Sequence, residues 1–208
     1  MKFKYLVQNN SENLLLFFTG FASEPNHFSH LKMSDEFDIV IIYEYENLNF
    51  PKDLLSKYAK IQIIGFSMGV GVASRIDFDL LLNNKQKIIF NLAVGGTPHG
   101  IDRVYGIHSA IFKRSIESFE PKEFIKNMSA KDLEINLQRD YKKELKYLFD
   151  LCQNEPINTN WQKALAGVND KIFPLTAMQK FFKEKLSTIK SGHFVFNNFK
   201  SWDEFWIK

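Results

Sequence analysis

The chain has 208 residues, 45% of them hydrophobic and 25% charged, with a formal net charge of +3. That balance excludes a disordered or collagen-like chain and is too weakly basic to argue for nucleic acid as a partner. A single cysteine, Cys152, excludes an intrachain disulfide and a four-cysteine zinc site. The length suits one domain over 1–208 with a sizeable core of its own. The basic start Met1-Lys2 leads into an apolar run that breaks at Gln8, with no small-residue cleavage site behind it. No stretch approaches the roughly 20 apolar residues of a membrane span. A cytoplasmic protein with no membrane association is expected.

In chain order, Phe3–Val7 reads as a strand, followed by the continuous apolar runs Asn13–Thr19, Asp38–Tyr43, Ile61–Phe66 and Lys87–Val94. Runs that are short, β-branched and apolar on both faces belong in a sheet covered on both sides. Met68–Leu82 is long enough for a crossover helix, which makes the flanking strands parallel. Gly95-Gly96-Thr97-Pro98 is a turn cluster. From His108 to Leu151 the pattern is helical, broken at Pro121, with Ser129 a candidate N-cap for the longer helix after it. Phe124, Leu133, Leu137, Leu145 and Leu148 mark its buried side. Trp161–Val168 reads as a returning strand, Pro174 as the start of a helix, Ser187–Lys190 as a short strand and Phe199–Trp206 as a terminal helix.

The sharpest motif is Gly65-Phe66-Ser67-Met68-Gly69. A G-x-S-x-G segment between a strand and a helix holds serine on a tight turn, where flanking glycines remove Cβ atoms that would collide. The helix N-terminus behind it favours developing negative charge. Ser67 is therefore the candidate nucleophile, and it needs a base and a group to orient that base. Of five histidines, His193 follows the last short strand, where its loop returns over the sheet edge. His27, His30, His99 and His108 read as surface or pocket-wall residues. Asp170 follows the returning strand and completes the order Ser, Asp, His. Asp77, Asp79 and Asp102 compete weakly. An oxyanion hole requires two backbone donors. Met68 N–H, just after the nucleophile, and Phe21 N–H, at the end of the most hydrophobic strand, are the candidates. A phosphate-binding loop is disfavoured because no lysine follows Gly69 until Lys85.

Gly20-Phe21, Gly65-Phe66-Ser67-Met68-Gly69, Gly167-Val168-Asn169-Asp170 and Gly192-His193 together resemble the α/β-hydrolases. Within that superfamily, Phe17-Phe18-Thr19-Gly20-Phe21, Gly65-Phe66-Ser67-Met68-Gly69-Val70, Gly96-Thr97-Pro98-His99-Gly100-Ile101-Asp102 and Asp170-Lys171-Ile172-Phe173-Pro174 are similar to the BioG-type pimeloyl-[acyl-carrier protein] methyl ester esterases. Phe21 stands where many relatives carry Trp. The resemblance implies an α/β-hydrolase fold: a mostly parallel central sheet with helices on both faces and a helical lid insertion over about 99–160. It implies hydrolysis of the methyl ester of a pimeloyl chain on acyl-carrier protein, in biotin synthesis, with Ser67 as nucleophile, His193 as base, Asp170 as its orienter, and no metal or organic cofactor. An acidic carrier protein would meet basic residues on the insertion, for which Arg114, Arg139, Lys142, Lys143 and Lys146 are the candidates, the last four on one helix side. A general carboxylesterase or thioesterase, and a non-catalytic binding protein of the same fold, are the other readings.

Overall fold

The computed structural model describes residues 1–32, 35–130, 133–136 and 138–205. Among the described residues, seven strands make one sheet in the order β1-β3-β2-β4-β5-β6-β7. They are β1 (Lys2–Val7), β2 (Asn13–Phe18), β3 (Asp38–Tyr43), β4 (Lys60–Phe66), β5 (Lys87–Val94), β6 (Lys163–Gly167) and β7 (Leu186–Ile189). β1 runs antiparallel to β3, and every other pairing is parallel. β1 is an edge strand with exposed Lys2 and Lys4, charges that discourage pairing with another chain.

The apolar runs form strands because both of their faces are buried. Leu14, Leu16 and Phe18 point into one core while Leu15 and Phe17 point into the other. The first core is closed by α1 (Met68–Ala73), α5 (Tyr141–Leu151) and α6 (Leu175–Phe182). The second is closed by single 3-10 turns rich in aromatics. Phe28, Phe196 and Trp202 surround Phe17 with ring centroids 4.8, 5.5 and 5.0 Å away. The remaining helices are α2 (Phe78–Leu81), α3 (Ser109–Glu117) and α4 (Pro121–Met128).

Three expected elements differ. The single crossover helix over 68–82 is two helices. α1 stops at Ser74, whose hydroxyl accepts from Trp161 Nε1 (3.0 Å), and Asp77 restarts the chain by capping α2 through Leu80 N–H (3.2 Å). Ser129 caps the C-terminus of α4 in the left-handed conformation (φ 59°) rather than an N-terminus, and Asp140 caps the next helix, accepting from Lys143 N–H at 3.0 Å. The terminal helix is a 3-10 turn over Trp202–Phe205, pinned flat by Lys32 N–H to Lys200 O (2.8 Å) and by burial of Trp202 and Phe205. Leu137 and Trp206 lie outside the described residues.

The end of the sheet that carries the β3 N-terminus is locked by one carboxylate. Asp38 is buried and accepts from Asn9 N–H (2.7 Å), Ser11 N–H (3.2 Å), Lys57 Nζ (2.9 Å) and Tyr58 Oη (2.7 Å). Burial raises its pKa, but these four donors outweigh burial and hold it below the usual aspartate value. Its stabilisation is present above the unfolded value of 3.8 and is lost as pH falls through the lower folded value. Asp38→Asn is expected to cost about 3 kcal/mol in urea unfolding at neutral pH. The difference from the native chain should shrink as the titration is carried below that range.

Candidate active site

The parallel strands end together, so Phe18, Phe66, Val94, Gly167 and Ile189 deliver their following loops to one edge of the sheet. A ligand site in an open α/β sheet forms at this carboxyl edge. Ser67 sits there between β4 and α1 with φ 55° and ψ −125°, a conformation that costs a non-glycine residue about 1–3 kcal/mol. The turn is held by Ser67 N–H to Val94 O (2.7 Å) and Val70 N–H to Ser67 O (3.1 Å).

Two glycines make the turn possible. A Cβ on Gly65 would come within 2.8 Å of Val70 Cα, and one on Gly69 would overlap the carbonyls of Phe18 and Thr19. Backbone cannot move away as a side chain can, so Gly69→Ala is expected to cost about 3 kcal/mol, read by urea unfolding, and to displace Ser67 from its neighbours. The close approach of Gly69 to Phe18 and Thr19 also brings the loop after β2 against the turn. A Cβ on Gly20 would lie 3.0 Å from Ser67 Cβ. Phe21 follows directly, and Met68, first residue of α1, has no helical acceptor for its N–H.

Two further loops close the site. Val168 N–H donates to Ile189 O and Asn169 N–H to Ser191 O, both at 2.9 Å, so the segments after β6 and β7 are zipped together. Gly167 lets Gly192 O approach where a Cβ would overlap it. Asp170 and His193 are thereby set side by side, with Nδ1 of His193 2.7 Å from Oδ2 of Asp170 and both side chains buried. The other Asp170 oxygen accepts from Ile172 N–H (2.8 Å) and Phe173 N–H (2.9 Å), which fixes the carboxylate plane. A carboxylate only accepts, so Nδ1 of His193 carries a proton toward it and Nε2 is the ring nitrogen left for other partners. The Phe66 ring packs against the imidazole at 4.9 Å. Gly95 and Gly96 link the two halves: Gly95 (φ 56°) faces His193, and Gly96 lies against the main chain of Ser67.

Described residues between β5 and β6 pack against this edge. Phe21 is buried, its ring edge-to-face with Phe119 (5.1 Å), Phe124 (5.3 Å) and Tyr141 (5.8 Å). At the other end of α4, Met128 O accepts from Phe194 N–H (3.0 Å). One helix thus bridges the loop carrying Phe21 and the loop carrying His193. Leu145 and Leu148 are fully buried against the first core, while Phe124 and Leu133 are half-buried. Among the described residues, no cluster of three His, Cys, Asp or Glu could hold a metal ion, and no helix is long and apolar enough to cross a membrane.

A model of the family described as pimeloyl-ACP methyl esterase BioG matches residues 1–205. The chain belongs to the BioG family. It is an esterase of the α/β-hydrolase fold. The crystal structure of BioG from Haemophilus influenzae superposes with a TM-score of 0.87 and 27% identity, covering all of both chains. An uncharacterised protein of the same species is 29% identical over 99% of each chain. A malonyl-[acyl-carrier protein] O-methyltransferase of Bacteroides fragilis is 35% identical over 77% of this chain, which spans 34% of that longer protein. A lipase-esterase related protein from Clostridium acetobutylicum, 14% identical with a TM-score of 0.59 over 93% of this chain and 92% of that one, shares the fold.

The remaining sequence candidates are spread more widely. His27 is buried rather than a surface residue: its Nε2 lies 2.8 Å from Glu134 O, its Nδ1 accepts from Glu24 N–H, and burial lowers its pKa. His30 Nε2 lies 3.2 Å from Phe196 O. His108 caps α3, and Asp102 closes a turn on Val104 and Tyr105 N–H. His99 stacks on Tyr105 at 5.4 Å. Arg114, Lys142, Lys143 and Lys146 are exposed, though Lys143 pairs with Glu46 at 2.9 Å. Arg139 departs from the expected basic face. It precedes α5 rather than lying on it, and its side chain is 5% exposed in ion pairs with Glu24 (3.2 Å) and Glu144 (2.6 Å). Glu144 is the residue the sequence reading passed over. Burial pushes its carboxyl up to about 7, against the pull of Arg139. The Asp140-x-x-x-Glu144 spacing alone marks only a helix start.

Proposed function

We propose that the enzyme hydrolyses the methyl ester of a pimeloyl chain carried by acyl-carrier protein, through Ser67, His193 and Asp170, and so serves biotin synthesis in the cytoplasm. The observation that carries this reading is the 2.7 Å His193–Asp170 contact behind a strained serine turn, in a chain of the BioG family. Ser67 Oγ attacks the ester carbonyl carbon as its proton passes to His193 Nε2. Phe21 and Met68 N–H groups bind the oxyanion. The tetrahedral intermediate collapses, the C–O bond to methoxide breaks, and His193 returns the proton to release methanol. Water, deprotonated by the same Nε2, then attacks the acyl-Ser67 ester. The products are the free ω-carboxylate on the carrier and regenerated Ser67. Asp170 stays ionised and stabilises the imidazolium at each step. The segment over 99–160 serves as the lid, its aromatics beside Phe21 sheltering the chain. Arg114, Lys142, Lys143 and Lys146 on its exposed side supply charge for an acidic carrier.

Incubation with methyl pimeloyl-acyl-carrier protein, followed by mass spectrometry, tests the reading. Loss of the ester methyl, absent in Ser67→Ala, is the expected result. Labelling of Ser67 by a serine-reactive phosphonate without ester cleavage would keep the hydrolase and remove the substrate. Absence of both would favour a binding protein.

A further inference from the structure

The loop that carries Phe21 has little to hold it from within. Ala22 is held at φ 60°, unfavourable for a residue with a Cβ, and Ser23 N–H to Gly20 O (3.2 Å) closes a single turn. Its own hydroxyls do not brace it: Thr19 Oγ1 and Ser23 Oγ are buried with no hydrogen-bond partner among the described residues. What surrounds it is a pair of charges from the insertion. Glu144 Oε2 accepts from Ala22 N–H (3.4 Å) and from Arg139 Nη2 (2.6 Å). Arg139 Nη1 donates to Ser23 O and to Glu24 Oε1, both at 3.2 Å. Glu144 Oε1 accepts from Tyr45 N–H (3.0 Å), and Tyr45 Oη donates to Thr19 O (2.8 Å). Contacts therefore reach Thr19, Ala22, Ser23 and Glu24, on both sides of Phe21, and trace back to one carboxylate that is 1% exposed.

We infer that the Glu144–Arg139 pair is a positioning device for the oxyanion loop, by which the insertion sets the direction of Phe21 N–H. The inference rests on the serine-esterase reading. A buried pair is weak grounds for stability alone, since a well-packed apolar replacement serves as well or better. Here the pair satisfies loop backbone that no apolar side chain could. Both side chains are buried, Arg139 5% and Glu144 1% exposed, and they bond to the loop rather than project from it. Their effect runs through one donor, so it belongs to the transition state and not to ground-state binding.

The test uses the full chain with p-nitrophenyl butyrate, a substrate too small to engage a carrier-docking surface, and with butylboronic acid, whose tetrahedral adduct on Ser67 places an oxygen at the oxyanion position. Removing an oxyanion donor outright costs roughly 10²–10³ in kcat, so a misdirected one should cost about 10–100-fold. Glu144→Gln is expected to lower kcat by that amount and weaken boronate binding in parallel, with KM changed less than about threefold. Arg139→Lys keeps a charge beside Glu144 but loses the fork to Ser23 and Glu24; it should show the same split more weakly and serves if Glu144→Gln does not fold. A lower melting temperature with kcat and boronate affinity unchanged would overturn the inference, as would a rise in KM alone. A native chain that neither hydrolyses the ester nor reacts with phosphonate would overturn the serine-esterase reading, and this inference with it.

Discussion

Ser67→Ala is expected to lower kcat for methyl ester hydrolysis by roughly 10⁵-fold or more while leaving the fold intact. The separation of effects follows from the turn. The strain at φ 55° belongs to the backbone of a turn that Gly65 and Gly69 permit, so alanine occupies the position about as well as serine. The main-chain bond from Ser67 N–H to Val94 O is unaffected. On the proposed mechanism only the attacking oxygen is lost, and with it the acyl-enzyme route. What survives is the direct attack of water assisted by the oxyanion donors, which accounts for a residual rate above the uncatalysed one. Single-turnover hydrolysis measured with enzyme in excess, alongside unfolding in urea, reads both quantities. A loss below about tenfold would mean that Ser67 is not the nucleophile.

The strands, and the placement of Ser67, Asp170 and His193 at the carboxyl edge, were legible because each rests on a local pattern. Leu14–Phe18 and Ile39–Ile42 are apolar on both faces, and in a parallel sheet that is sufficient. Ser67 is marked by its glycines, and Asp170 and His193 by their places after strands. The misread elements depend on partners distant in sequence. Nothing within Met68–Leu82 announces that Ser74 will meet Trp161, or that the chain will break there. Ser129 has the chemistry of an N-cap, but the αL turn closing α4 against Gly192 uses it as a C-cap. Arg139 read as one more surface base because a charge run is usually solvated; its burial is decided by the loop at Ser23 and Glu24, more than a hundred residues away, together with the nearby Glu144. Long-range pairing of that kind leaves no periodicity to read.

Asp170→Asn should lower kcat by about 10⁴-fold with the chain still folded. Asp170 has two jobs on two oxygens. Oδ1 accepts from Ile172 and Phe173 N–H and shapes the turn after β6, and an asparagine carbonyl does this as well. Oδ2 accepts from His193 Nδ1, and there the amide NH₂ would face the ring. The imidazole must then turn its lone pair toward that amide and carry its proton on Nε2, the atom proposed to accept from Ser67. The base is lost by tautomer rather than by displacement, and the developing imidazolium loses its counter-charge. Ester hydrolysis and phosphonate labelling of Ser67 should therefore fall together, because both need the serine deprotonated, while the urea midpoint moves little. The competing view is that Asp170 merely caps the turn. On that view asparagine is nearly neutral in both assays, whereas Asp170→Ala, which removes both oxygens, costs about 1 kcal/mol of stability. Running the two substitutions side by side separates a residue that orients the base from one that only shapes the loop.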